Sequence, residues 1–143
     1  MKRSLLSLLL VACVWGGMFA NESSTSKAVF TQEKLELIEQ NLIIGLESNI
    51  PGLQASAALV LRQVKEIAPQ YEFSLSVIPL MRLVRTESYD APVRMAAALA
   101  LHELRSTRGD FALARIARFE ENPRVKKLLE AMAYERGLQN DLY

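Results

Sequence analysis

The chain has 143 residues, 50% apolar and 23% charged, a balance that excludes a disordered chain and fits one domain of ordinary size. Its 17 Lys and Arg against 16 Asp and Glu give a net charge of +1, which argues against a dedicated nucleic-acid binder, whose domain carries a clear basic excess. A single cysteine, Cys13, excludes an internal disulfide framework.

The chain opens on Met1-Lys2-Arg3, a short positive region. An apolar run follows from Ser4 through Cys13 to Ala20, and Asn21-Glu-Ser-Ser-Thr-Ser26 then turns abruptly polar. That order is the grammar of a secretory signal, so residues 1–20 are expected to direct export and to take no part in the fold. Cleavage after Ala20 has the small residue needed at the last position, although Met18 is larger than the pattern prefers two places earlier. Two alternatives stay open. Leu10-Val11-Ala12-Cys13 resembles a bacterial lipobox, which makes Cys13 a lipidation site and the chain a tethered lipoprotein. An uncleaved first helix acting as a membrane anchor is the other. Against lipidation, Val14 and Trp15 continue the apolar run where lipoproteins turn polar. All three readings place the body of the protein outside the cytoplasm, in the periplasm or envelope of a bacterium, because Lys2 and Arg3 hold the N-terminus inside. Setting residues 1–20 aside removes Lys2 and Arg3 and leaves 15 basic against 16 acidic side chains. The remaining chain of about 120 residues is long enough to bury one core without staples.

Residues 21–30 read as a polar tether. Six helices in three pairs follow over residues 31–137, with the pairs at about 31–68, 75–106 and 110–137, and a short tail at 138–143. The first helix spans about 32–48 behind Thr31 as N-cap, with Leu35, Ile38, Leu42 and Leu46 at helical spacing and Glu33, Glu36, Gln40 and Glu47 on the wet side. The second opens at Pro51, where the missing N–H costs nothing, and ends before Pro69. The third covers about 76–86 with Pro79 in its first turn, and the fourth follows Asp90 as cap, with Pro92 in its first turn, to about residue 106. Asp110 is expected to cap a fifth helix at 111–120, and Asn122-Pro123 opens a sixth that closes at Gly137. The tail either frays or docks over the last pair.

Leu53-Gln-Ala-Ser-Ala-Ala-Leu-Val-Leu-Arg62 aligns without a gap on Val93-Arg-Met-Ala-Ala-Ala-Leu-Ala-Leu-His102, forty residues on. Self-similarity at that period marks stacked helix pairs. A polar cap followed by proline precedes the second helix of each pair, at Asn49…Pro51, Asp90…Pro92 and Asn122-Pro123. With Ile78-Pro-Leu-Met-Arg-Leu83, Asp90-Ala-Pro-Val-Arg94 and Ala96-Ala-Ala-Leu-Ala-Leu101, the pattern resembles the HEAT family of helical repeats in its bacterial HEAT-like subset, over about residues 32–137. The middle copy carries the match. The first has Leu53-Gln54 in place of Val-Arg, and the third has Val125-Lys126. The resemblance implies a short all-α solenoid of about three stacked antiparallel pairs, behind an N-terminal signal helix. It further implies that the second helices line a face that binds proteins, and it implies no reaction.

Helical spacing divides the fourth helix into a buried stripe of Val93, Ala97, Leu101 and Leu104 and an open ridge of Arg94, Ala98, His102 and Arg105. Transferred along the repeat, the ridge gathers Arg62, Lys65, Arg94, His102, Arg105, Lys126 and Tyr134, a basic stripe that could take an acidic protein partner by charge complementarity. A plainer reading takes precedence: Arg94 pairs with its own cap residue Asp90 four positions back, and the others are solvated charge beside Glu66 and Glu103.

Catalysis finds no residues to stand on. His102 is the one histidine and has no companion at metal-ligand spacing. Ser56 lies among alanines with no base near it in sequence, and Glu120-Glu121 read as solvated charge at a helix end. No glycine-rich phosphate loop occurs. The sequence therefore predicts an exported, non-catalytic protein-interaction module without cofactor, metal or nucleic acid. Its rival is a structural or accessory envelope protein tethered through Cys13 or the first helix.

Overall fold

The computed structural model describes residues 30–138 and residue 140. The expected signal segment, Cys13 and the tether up to residue 29 lie outside the described residues. So do positions 139 and 141–143 of the tail. Among the described residues the chain is all-α, with six helices and one 3₁₀ turn: α1 (Gln32–Leu46), α2 (Pro51–Ile67), the 3₁₀ turn Ser74–Ser76, α3 (Val77–Arg85), α4 (Ala91–Glu103), α5 (Thr107–Phe119) and α6 (Pro123–Glu135).

Local chemistry sets most of the helix ends. Thr31 accepts the Lys34 N–H at its hydroxyl (3.4 Å), and Asn122 accepts the Arg124 and Val125 N–H groups at 3.0 and 3.3 Å, which satisfies donors that the first turn leaves free. Proline stands in the first turn of α2, α4 and α6. At the far end of α6, Gly137 adopts φ +71°, and the Gly137 and Leu138 N–H groups reach back to the Tyr134 and Ala133 carbonyls at 3.0 and 2.8 Å. This is a Schellman stop, which favours glycine because no Cβ opposes the left-handed turn.

Two caps differ from the sequence reading. α5 starts four residues early, at Thr107, because the Ser106 hydroxyl accepts the Gly109 N–H (3.0 Å) and does the work assigned to Asp110. Asp90 sits at the N-cap of α4 without a side-chain cap bond; its carbonyl alone accepts the Arg94 N–H, at 3.1 Å.

Consecutive helices pack on each other, α1 on α2, α3 on α4 and α5 on α6. They also meet across the pairs, α1 with α3 and α3 with α5 in one row, α2 with α4 and α4 with α6 in the other. Each helix contributes a fully buried leucine to the core: Leu35, Leu61, Leu80, Leu101, Leu113 and Leu129. Burying each stabilises the fold by roughly 1.5–3 kcal/mol relative to exposure. Between α1 and α2 the backbones approach closely at Gly45, where a Cβ would stand 2.8 Å from the Ala57 Cβ. No helix among the described residues is long and apolar enough to cross a membrane.

α4 is the middle of the second row, with α2 on one flank and α6 on the other. Its expected core stripe is buried, and so are Arg94 and Ala98 on the expected ridge. Between these neighbours only one narrow line stays partly open, along Ala91, Pro92, Met95 and Leu99. This central position of α4 decides which residues can form a surface.

Candidate functional site

The predicted ridge does not form one surface. Arg94 is 3% exposed: its Nε donates to the Val84 carbonyl at 2.9 Å, and both terminal nitrogens hold the two carboxylate oxygens of Glu120. The pairing expected with Asp90 is absent, and Glu120, expected in solvent, is buried. Gln54, the first-copy equivalent of Arg94, is also buried and donates to the Ser48 carbonyl at 2.6 Å. The position is thus a structural one in the first two pairs, tying the start of α2 and of α4 to the end of the helix before it.

Lys65 is likewise buried, and its Nζ donates to the Pro69 and Tyr71 carbonyls at 2.8 and 2.7 Å, closing the loop after α2. Burial holds the Lys65 ammonium below the usual lysine range. Arg62 pairs with Glu66 (3.4 Å) on the same helix. His102 is half-buried with Nε2 3.2 Å from Glu135, and its backbone carbonyl accepts an N–H from Arg136 at 2.7 Å. Arg105 is exposed in a left-handed conformation (φ +53°), Lys126 is half-buried, and Tyr134 is exposed. Of the seven ridge residues, Lys65 and Arg94 are therefore withdrawn from any surface.

A further buried polar centre joins α1 to the 3₁₀ turn. Glu39, 1% exposed, accepts the Ser76 N–H (2.9 Å), the Ser76 hydroxyl (3.1 Å) and the Tyr71 hydroxyl (3.0 Å). Burial, with the Glu39 carboxylate beside it, pushes the Tyr71 phenol up to about 12. Three donors satisfy the carboxylate, so the centre is a clamp between elements and not a free acid. Its signal was present in the sequence, since Glu39 falls on the same helical stripe as Leu35, Leu42 and Leu46.

A concavity lies in the other row, between α3 and α5. This groove has a volume of about 590 Å³. Its floor is apolar, built from Ile78 and Met81 of α3 and Phe111, Ile116 and Phe119 of α5. Arg82, Arg85, Arg108 and Arg115 stand around it, against Glu87 as the rim's acid, while the Arg94–Glu120 pair closes one wall. Ile78, Phe111 and Phe119 are 45%, 55% and 69% exposed and line the same groove, so they form a contiguous apolar patch and not scattered single residues. Arg82 is tied to Glu47 at 3.3 Å, and the Arg118 guanidinium lies 5.6 Å from the Phe119 ring centre. A smaller hollow of about 390 Å³ continues over Phe119 towards Arg118 and Asn140, where the tail leaves α6.

The spacing carries this face as plainly as any core stripe. Ile78, Arg82 and Arg85 recur at i, i+4 and i+7 on α3, and Phe111, Arg115 and Phe119 at i, i+4 and i+8 on α5. The sequence reading overlooked it by looking for the working surface on the second helix of each pair. What the groove can do chemically is hold an apolar side chain on its floor and carboxylates on its rim, for which planar guanidinium forks are well suited. Its lining holds no serine, cysteine, histidine or lysine. Among the described residues no group of three or more His, Cys, Asp or Glu is placed to hold a metal ion. No protein-family model, curated protein or solved structure matches this chain.

Proposed function

We propose that this protein is an exported interaction module, a short HEAT-like solenoid of three stacked helix pairs without catalytic activity, that holds an acidic, partly apolar segment of another protein in the α3/α5 groove. The observation that carries the reading is an apolar floor rimmed by Arg82, Arg85, Arg108 and Arg115 on a chain whose net charge is only +1. Phenylalanine, methionine and arginine are enriched at protein interfaces, and the positive rim steers an acidic partner towards the groove. The two-row packing and the forty-residue repeat support the solenoid, and the sequence of residues 1–20 supports export.

The reading moves the binding face from the second-helix row to the first-helix row, because Arg94 and Lys65 are buried. It is tested by placing a photo-crosslinking amino acid at Phe119, in the groove, or at Tyr134, outside it, in the protein expressed in its own cell. The reading expects a discrete adduct from position 119 in the envelope fraction and none from position 134. Equal adducts from both positions, or none from 119, contradict it.

A further inference from the structure

The hollow over Phe119 leads back to the groove, and a residue of the tail already stands in it. Asn140, exposed beyond the Gly137 stop, lines that hollow with Phe111, Arg115, Arg118 and Phe119. Phe111, Arg115 and Phe119 line the groove between α3 and α5 as well, so the two depressions share a wall. Asp141, Leu142 and Tyr143 come next in the sequence. One acid and two apolar side chains are the chemistry that an apolar floor with an arginine rim accepts.

We infer that this segment of the chain's own tail docks in the groove, Asp141 on Arg115 and Arg118, with Leu142 and Tyr143 over Phe111 and Phe119, so that a partner must displace it. Charge complementarity selects this occupant. Among the described residues neither Arg115 nor Arg118 forms a salt bridge, whereas Arg82 is held by Glu47. Residues 4–20, an apolar stretch outside the described residues, contain no Asp or Glu and would leave these arginines unanswered. Reach agrees with the assignment. Three residues extend about 10 Å, the rise of α5 from Phe111 to Phe119 is about 12 Å, and Asn140 starts beside both rings.

A tethered segment competes at an effective concentration in the millimolar range, so a weak contact is enough to hold the groove partly closed. Phe111 and Phe119, 55% and 69% exposed, are then covered by the chain itself. The groove is thereby biased towards partners that offer more than the tail does. Such a partner brings further carboxylates for Arg85 and Arg108, or a larger apolar face for Ile78 and Met81. This regulation rests on the proposed function, whereas the contact of tail with groove does not.

The test is NMR of the purified protein with labelled leucine methyls, reading contacts from Leu142 to the Phe111 and Phe119 rings in the parent and in Asp141→Lys. The expected result is such contacts in the parent, their loss in the variant and in high salt, and unchanged α6 resonances. No contact in the parent, or one that survives Asp141→Lys, overturns the inference. So does a contact seen only between differently labelled chains, which places the tail of a second copy in the groove. A photo-crosslinker at position 119 then reads the competition, with about fivefold more partner adduct expected from Asp141→Lys than from the chain that keeps Asp141. An adduct unchanged by the variant overturns the inference and leaves the groove reading standing. Contacts from Leu142 with no adduct from either protein support the tail contact and overturn the groove reading.

Discussion

Arg94 of α4 and Glu120, the residue that follows α5, form a buried pair that joins the second and third helix pairs, both guanidinium ends meeting both carboxylate oxygens. Glu120 also accepts the Asn122 N–H (2.9 Å), so the same carboxylate orients the turn into α6. Removing one partner strands the other charge in the interior. Arg94→Met is expected to destabilise the fold by about 3–5 kcal/mol, and Glu120→Leu by a similar amount. The double variant should cost much less than the sum of the two, because neither charge is left unpaired. Urea unfolding of all four proteins measures the cycle, and additive losses would contradict the pairing.

Tyr71 sets an alkaline limit. Its phenol is raised from 10.0 to about 12, so the unfolded chain loses this proton first. Stability from this group is complete below about pH 10 and falls as pH rises towards about 12. Tyr71→Phe should remove that fall while costing about 1 kcal/mol at neutral pH through the lost bond to Glu39. Thermal unfolding of both proteins across this range checks the sign, and equal slopes would count against it.

Arg105 follows α4 in a left-handed conformation, φ +53°, and is exposed. At the residue after a helix this conformation suits glycine, and a side chain there costs about 1 kcal/mol. Arg105→Gly is therefore expected to leave stability unchanged or to raise it by up to about 1 kcal/mol, despite the added freedom of the unfolded chain. A loss beyond about 1 kcal/mol would mean that the arginine makes a contact of its own.

Export makes a prediction about mass. The protein recovered from the envelope fraction should lack residues 1–20, beginning at Asn21. An intact chain would support the anchor, and an acylated N-terminal Cys13 would support the lipoprotein.

Much of the architecture was legible in the sequence because helix chemistry is local. Thr31, Pro51, Pro92, Asn122 and Gly137 mark ends that the structure places within a residue or two of expectation. The core stripe of α4 was legible too, since Val93, Ala97 and Leu101 keep helical period. What failed was the exposure of polar residues on that helix. Arg94 and Glu120 are 26 positions apart, and no local pattern says that α4 is flanked on both sides or that the charge beyond α5 turns inward. Lys65 misled for a related reason: its long side chain folds back onto carbonyls of the next loop. The groove between α3 and α5 was written in the spacing of Phe111, Arg115 and Phe119, and became a site only once α3 was placed beside it.

The central claim is that the arginine-rimmed groove is the working surface. Its most direct measurement compares captures from the native envelope fraction by the parent, by an Arg85→Glu/Arg115→Glu variant and by an Arg62→Glu/Arg105→Glu variant, all first checked for unchanged helicity and unfolding midpoint. The account predicts one partner retained by the parent and by the second variant, lost from the groove variant, and weakened by added salt. A partner held equally by the groove variant, or lost only when Arg62 and Arg105 are reversed, would contradict it.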